Sequence, residues 1–214
     1  MLILGLTGSI GMGKSTAAAW LRSKGIGVFD ADSEVHKLYA GPAVPLIEAA
    51  FPGATSGGKV DRAVLSAMLA ADPEGFVRLE AIVHPLARAA ERAFLLAEHA
   101  RHAKLAVVEI PLLFETGANT LCDAVMVVST DPATQHARVL GRAGMTADKL
   151  TTLLARQMSD AEKRARADFV VDTSGPVADT HAQIDKVLTQ LEGRPETAFG
   201  RDWEAERGPR PFSS

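Results

Sequence analysis

At 214 residues, the chain has room for one α/β domain with an inserted subdomain, at roughly 150 residues per domain, and is crowded for two. Hydrophobic residues make up 47% and charged residues 23%, ordinary globular usage that excludes a disordered or fibrous chain. Lys and Arg number 23 against 26 Asp and Glu, a net charge of −3, so no overall basic field draws nucleic acid, and the single Cys122 can form neither a disulfide scaffold nor a thiolate cage.

Leu2 to Leu6 is a short apolar run ended by Thr7 and Gly8, the pattern of a strand buried on both faces. It lacks a basic leader segment, and no later run reaches the ~18 apolar residues of a membrane span. A soluble, cytoplasmic protein without a membrane partner is expected. A helix is predicted over Lys14 to Ser23, with Gly25 to stop it, and a second strand over Gly27 to Phe29, ending at Asp30-Ala31-Asp32.

The interval from Ser33 to Arg101 is helical by pattern, with Phe76, Leu79, Ile82 and Val83 at 3–4 spacing, and is too long for one crossover. It reads as a helical insertion. Pro85 predicts a kink or a helix start and so places His84 at a joint. Leu105 to Ile110, Ala124 to Val128 and Phe169 to Val171 read as further strands, and Val177 to Leu191 as a last helix. Helical patterns separate the strands, which predicts a parallel sheet with crossover helices. Residues 194–214 collect Pro, Gly and Arg with little periodicity and are expected to be a flexible tail.

Gly8-Ser9-Ile10-Gly11-Met12-Gly13-Lys14-Ser15 matches G-x-x-x-x-G-K-[ST] between a predicted strand and a predicted helix. Glycines let successive backbone N–H groups turn inward on a phosphate chain, and the helix N-terminus adds partial positive charge. Lys14 then spans the β- and γ-phosphates, and the Ser15 hydroxyl is placed for Mg²⁺. The loop implies a nucleoside triphosphate. A GTPase switch is not the use made of it, because N-K-x-D is absent and both D-x-x-G strings, at Asp72 and Asp172, fall in the wrong places.

Asp30-Ala31-Asp32 closes the second strand, and period two aims both carboxylates to one side, at the strand ends where α/β sheets bind ligands. One could accept the proton of an acceptor hydroxyl, and the other orient the acceptor or Mg²⁺ waters. Read structurally, Asp32 is the N-cap of a helix starting near Ser33. Glu109 ends the third strand, where an acid holds Mg²⁺ through water. Arg138 and Arg142 share one helix face, and Arg156, Lys163, Arg164 and Arg166 follow, where small-molecule kinases carry a lid whose cations cover the phosphates.

The phosphate loop, Asp30-Ala31-Asp32, Leu79 to Pro85, Pro111-Leu112-Leu113-Phe114-Glu115 and Ala167 to Asp172 occur together in one family. From Met1 to about Leu191 the sequence resembles the dephospho-coenzyme A kinases. The resemblance implies ATP-dependent phosphorylation of the ribose 3′-hydroxyl of dephospho-coenzyme A, with Mg²⁺, on a P-loop kinase fold. That fold has a five-stranded parallel sheet flanked by helices, a helical acceptor-binding insertion and an arginine-bearing lid. The implied kinase domain is 1–193, with its core at about 1–32, 103–130 and 167–193, the insertion at about 33–102 and the lid at about 131–166.

By the same resemblance Asp32 is the catalytic base, with Lys14, Arg142 and Arg138 assisting. Gly8, Ser9, Gly11, Met12, Gly13, Lys14, Ser15 and Thr16 bind ATP; Asp30, Arg62 and His84 serve the acceptor; Ser15 and Glu109 serve the metal. Ser9 and Met12 stand where many members have Gly and Ser, and Thr173 where Asn is frequent. Shikimate kinases share a D-x-D after the second strand but need a triple glycine, and only Gly57-Gly58 occurs here. A non-catalytic nucleotide switch would need no acceptor base.

Overall fold

The computed structural model describes residues 1–204 with the exception of Pro73. Strand β1 (Leu2–Thr7) is buried along its whole length, as a strand covered on both faces must be. The glycine loop leads into α1 (Lys14–Ser23), whose Ala17, Ala18 and Leu21 pack with Leu2, Leu4 and Leu6. The chain then enters β2 (Gly27–Asp30).

Asp30 to Phe94 forms a unit of its own, starting slightly before and ending well before the insertion expected over 33–102. It holds α2 (Ala31–Leu38), α3 (Val44–Ala50), a hairpin of β3 (Thr55–Ser56) and β4 (Lys59–Val60), α4 (Arg62–Ala71) and the start of α5 (Gly75–Ala100). Leu38, Ile47, Phe51, Leu65, Leu69 and Val83 make its core. Gly57-Gly58 is the hairpin turn. Helix α5 continues for 26 residues with Pro85 inside it, so His84 is not at a joint. An interior proline costs about 3 kcal/mol, and packing of Val83, Leu86 and Ala87 into the core on either side of it offsets that cost.

The other unit comprises Met1–Phe29 and the chain from Leu95 on. It continues with β5 (Leu105–Glu109), β6 (Ala124–Ser129), α6 (Pro132–Leu140), α7 (Ala147–Ala155), α8 (Asp160–Arg166), β7 (Phe169–Asp172) and α9 (Val177–Leu191). The five-stranded parallel sheet has the order β2-β5-β1-β6-β7. Leu6 pairs with Glu109 across β1 and β5, and Thr7 with Val127 across β1 and β6, so these strands end side by side. The chain leaves β1 for β2 on one side and leaves β5 for β6 on the other. That reversal opens the crevice in which such sheets bind ligands, and the glycine loop lies at its mouth.

The stretch 194–204 departs from the expected flexible tail. Thr197 and Ala198 donate their backbone N–H groups to Asp123, Phe199 stacks on His99, and Trp203 is fully buried, its indole N–H on the Leu121 carbonyl. Two aromatics anchor a segment that has no periodicity to announce them. Residues 205–214, the rest of that tail, lie outside the described residues. Among the described residues no helix is long and apolar enough to cross a membrane.

One buried acid makes stability depend on pH. Burial pushes the Glu91 carboxyl up to about 7 from 4.5, against the pull of Arg88, whose guanidinium bonds it at 2.7 Å. The folded state keeps this proton over a range in which the unfolded chain has lost it. The stabilisation is therefore complete below the unfolded value and is lost as pH rises through about 7. Thermal unfolding should show the wild type losing about 2–3 kcal/mol relative to Glu91→Gln between about pH 5 and pH 8. A pH-independent difference between the two would show that Glu91 does not titrate there.

Candidate active site

The loop after β1 takes its shape from positions that admit no side chain. A Cβ on Gly8 would lie 2.5 Å from the Val128 carbonyl oxygen, and Gly13 has φ 92°, a left-handed conformation that costs other residues energy. Gly13 is also the N-cap of α1, and no side chain caps that end. The first N–H groups of the helix are thereby left for a ligand. The Lys14 ammonium donates to the Gly8 carbonyl at 2.6 Å and more weakly to that of Ser9 at 3.4 Å, so its charge is held within the loop. Ser9 is buried, and Ser15 is exposed on the first turn of α1.

Long-range contacts fix the loop from behind. Ile10 is bracketed by two glutamines: its N–H donates to Gln157 Oε1 at 3.2 Å, and Gln135 Nε2 donates to its carbonyl at 2.8 Å. Met12 is buried, its sulfur accepting from the Thr130 N–H at 3.2 Å. The buried Thr173 hydroxyl reaches the Met12 carbonyl at 2.9 Å and the Ser129 carbonyl at 3.2 Å, while its side chain fills the space where a Cβ on Gly13 would be. The turn carrying Thr173 is itself anchored. The Ser174 hydroxyl and N–H hold the Asp172 carboxyl below the usual carboxylate range, and Gln183 bonds both the N–H and the carbonyl of Asp172.

Arg138 belongs to this support. Its guanidinium donates to the Thr173 hydroxyl at 3.1 Å and to the Thr173 carbonyl at 2.6 Å, so it clamps the last turn of α6 to the loop after β7 rather than standing as a free lid cation. Arg142, two residues past α6, is exposed, and no hydrogen bond or ion pair engages its guanidinium among the described residues. Lys163 is no lid cation either. It is fully buried, with Nζ 2.9 Å from the Pro111 carbonyl and 2.9 Å from Glu115. A buried charge needs such a pair, which gives the Pro111 to Glu115 segment a structural role.

Glu109 ends β5 beside Leu6 and is 8% exposed. Among the described residues no group of three or more His, Cys, Asp or Glu could hold a metal. One acid and one hydroxyl nonetheless suit Mg²⁺, a hard ion that takes oxygen ligands and keeps waters and substrate phosphates in its shell.

The remaining candidates lie in the Asp30 to Phe94 unit. Helix α2 starts one residue after Asp30, whose carboxylate caps it by accepting the Ser33 N–H at 2.9 Å. Asp30, not Asp32, is therefore the N-cap. Asp32 is the second residue of the helix and exposed, so the two acids do not share an extended register. Arg62 opens α4 and reaches His36, which in turn reaches the Asp32 carbonyl. His84 is exposed on α5, and no hydrogen bond joins it to that group. His36, Gln135 and Gln157 belong to no motif in the sequence. Only the i, i+4 spacing of Asp32 and His36 was a local signal.

Comparison with known proteins follows the same outline. The dephospho-CoA kinase family model matches residues 2–179. A dephospho-CoA kinase of Rhodopseudomonas palustris is 57% identical over 188 residues, 88% of this chain and 94% of the relative. Among solved structures, a Thermus thermophilus protein is 36% identical with a TM-score of 0.77, covering 90% of this chain and 98% of its own. A Campylobacter jejuni dephospho-CoA kinase is 27% identical with a TM-score of 0.64, covering 88% and 96%.

The support beneath the loop generates a direct expectation. Thr173→Val keeps the side-chain volume and removes the hydroxyl that links Met12, Ser129 and Arg138, so the KM for nucleotide should rise by about tenfold, as loss of a charge-assisted hydrogen bond implies. Thr173→Ser should restore it. Steady-state kinetics on both variants decide the matter, and equal constants for Val and Ser would remove the hydroxyl from the account.

Proposed function

The chain belongs to the dephospho-CoA kinase family, and from that premise we propose which of its residues carry each part of the reaction. The reaction transfers the γ-phosphoryl group of ATP to the ribose 3′-hydroxyl of dephospho-coenzyme A, giving coenzyme A and ADP, the last step of coenzyme A synthesis. The observation that supports this reading most is the family match, which runs unbroken from β1 through the glycine loop and the 30–94 unit to the start of α9.

In this reading the loop amides and Lys14 hold the β- and γ-phosphates, with Gly8, Ser9, Gly11, Met12, Gly13, Ser15 and Thr16 shaping the cradle. Ser15 and Glu109 would hold Mg²⁺, which neutralises phosphate charge when bound. Asp32 takes the proton of the 3′-hydroxyl as its oxygen attacks the γ-phosphorus, and the bond from that phosphorus to the β–γ bridging oxygen breaks to release ADP. Arg142 supplies charge to the transferring group, and Arg138 acts through the loop it clamps. The 30–94 unit is the acceptor-binding insertion, in which Asp30 sets the start of α2 and Arg62 and His84 serve the acceptor. A single cysteine, Cys122, suits a reducing cytoplasm, where we place the enzyme.

A coupled ADP-release assay tests both the reaction and the base. With Mg²⁺, dephospho-coenzyme A should elicit ADP release and shikimate should not, and Asp32→Asn should lower kcat by about 10²–10⁴-fold, the range for a positioned general base, with the KM for ATP unchanged. Because Asp30 carries the cap, the substitution leaves the helix start intact. Full turnover by Asp32→Asn would assign the base elsewhere, and turnover of shikimate would overturn the acceptor.

A further inference from the structure

His36 forms a bridge that the reaction scheme leaves unused. Its Nε2 lies 2.7 Å from Nη1 of Arg62, and its Nδ1 lies 2.7 Å from the backbone carbonyl oxygen of Asp32. A guanidinium only donates and a carbonyl only accepts. Nε2 must therefore be the acceptor and Nδ1 must carry the proton. Two independent partners thus require the same neutral tautomer.

The bridge lies along one face of α2. Asp32, His36 and Tyr39 follow at i, i+4 and i+7, one above another on a helix. Burial pushes the Tyr39 phenol up, and the nearby Arg62 charge pulls it the other way, which puts the guanidinium alongside the same stripe. The backbone at Arg62 is fixed as well: Asp61 caps α4 by accepting the N–H groups of Ala63 and Val64. What remains free is the long exposed side chain, and His36 gives it a direction. Turn by turn, the stripe then offers a carboxylate and, about one helical turn away, an oriented cation.

The acceptor has matching chemistry, because its 3′-hydroxyl and its 5′-diphosphate hang from the same ribose. Resting on the roles given above to Asp32 and Arg62, we propose that His36, as its Nδ1–H tautomer, is a positioning residue that aims Arg62 at the diphosphate of the acceptor. A planar guanidinium suits such a group, with paired donors for phosphate oxygens.

Two conservative variants separate the ends of the imidazole. Glutamine can place an acceptor near the site of Nε2, and asparagine a donor near the site of Nδ1. In the coupled assay, His36→Ala and His36→Asn should raise the KM for dephospho-coenzyme A by about tenfold, as loss of a hydrogen bond to a charged group implies, with kcat and the KM for ATP unchanged. His36→Gln should stay near the wild type, and Arg62→Ala should be impaired at least as much as His36→Ala. Nitrogen-15 NMR of the folded wild type should show a protonated Nδ1 and an unprotonated Nε2 at neutral pH. An unaltered acceptor KM in His36→Ala beside a raised one in Arg62→Ala would overturn the proposal alone. An unaltered KM in Arg62→Ala would overturn the acceptor role of Arg62 with it, and an Nε2–H signal would overturn the tautomer.

Discussion

A triphosphate carries several negative charges, and a protein can hold them without a large basic surface only by turning its own backbone amides toward them. In this chain that demand is met at the bend between β1 and α1. Gly8 approaches the Val128 carbonyl more closely than any side chain allows, and Gly13 enters the helix in a left-handed conformation with no capping side chain. A loop of this kind has little to hold it in place by itself. The contacts from Gln135, Gln157 and Thr173 supply hydrogen bonds that its backbone cannot make internally, and the Thr130 N–H holds the Met12 sulfur.

The same support reaches into the helices between β6 and β7. Arg138 spends its guanidinium on the turn after β7, and Lys163 is buried against Glu115 and the Pro111 carbonyl. Arg142 is exposed, and under the proposed reaction it is the one of the three whose charge is not committed to such a contact among the described residues. In the 30–94 unit the same economy holds. Asp30 is occupied by the helix start, which leaves the Asp32 carboxylate clear of that duty.

Legibility in the sequence followed locality. The phosphate loop could be read because its conformation demands particular residues at fixed spacing, and the strands because burial on both faces leaves continuous apolar runs such as Leu2 to Leu6. The cap at Asp30 was missed by a boundary shift, since either acid can start a helix there. Pro85 misled because its local penalty is outweighed by core packing that only the folded unit supplies. The contacts of Ile10 and Met12 with Gln135, Gln157 and Thr173 span 125, 147 and 161 positions and leave no periodic trace. Trp203 likewise is buried beside Leu121 from within a segment whose composition reads as loop.

The central claim is that the nucleotide is held by backbone geometry that glycine alone permits at Gly8. Calorimetric titration of ATP into Gly8→Ala, with circular dichroism to verify the fold, tests it most directly. The geometry predicts a folded protein that no longer binds ATP measurably, because the added Cβ must push the loop off the Val128 carbonyl. Wild-type affinity in that variant would contradict it.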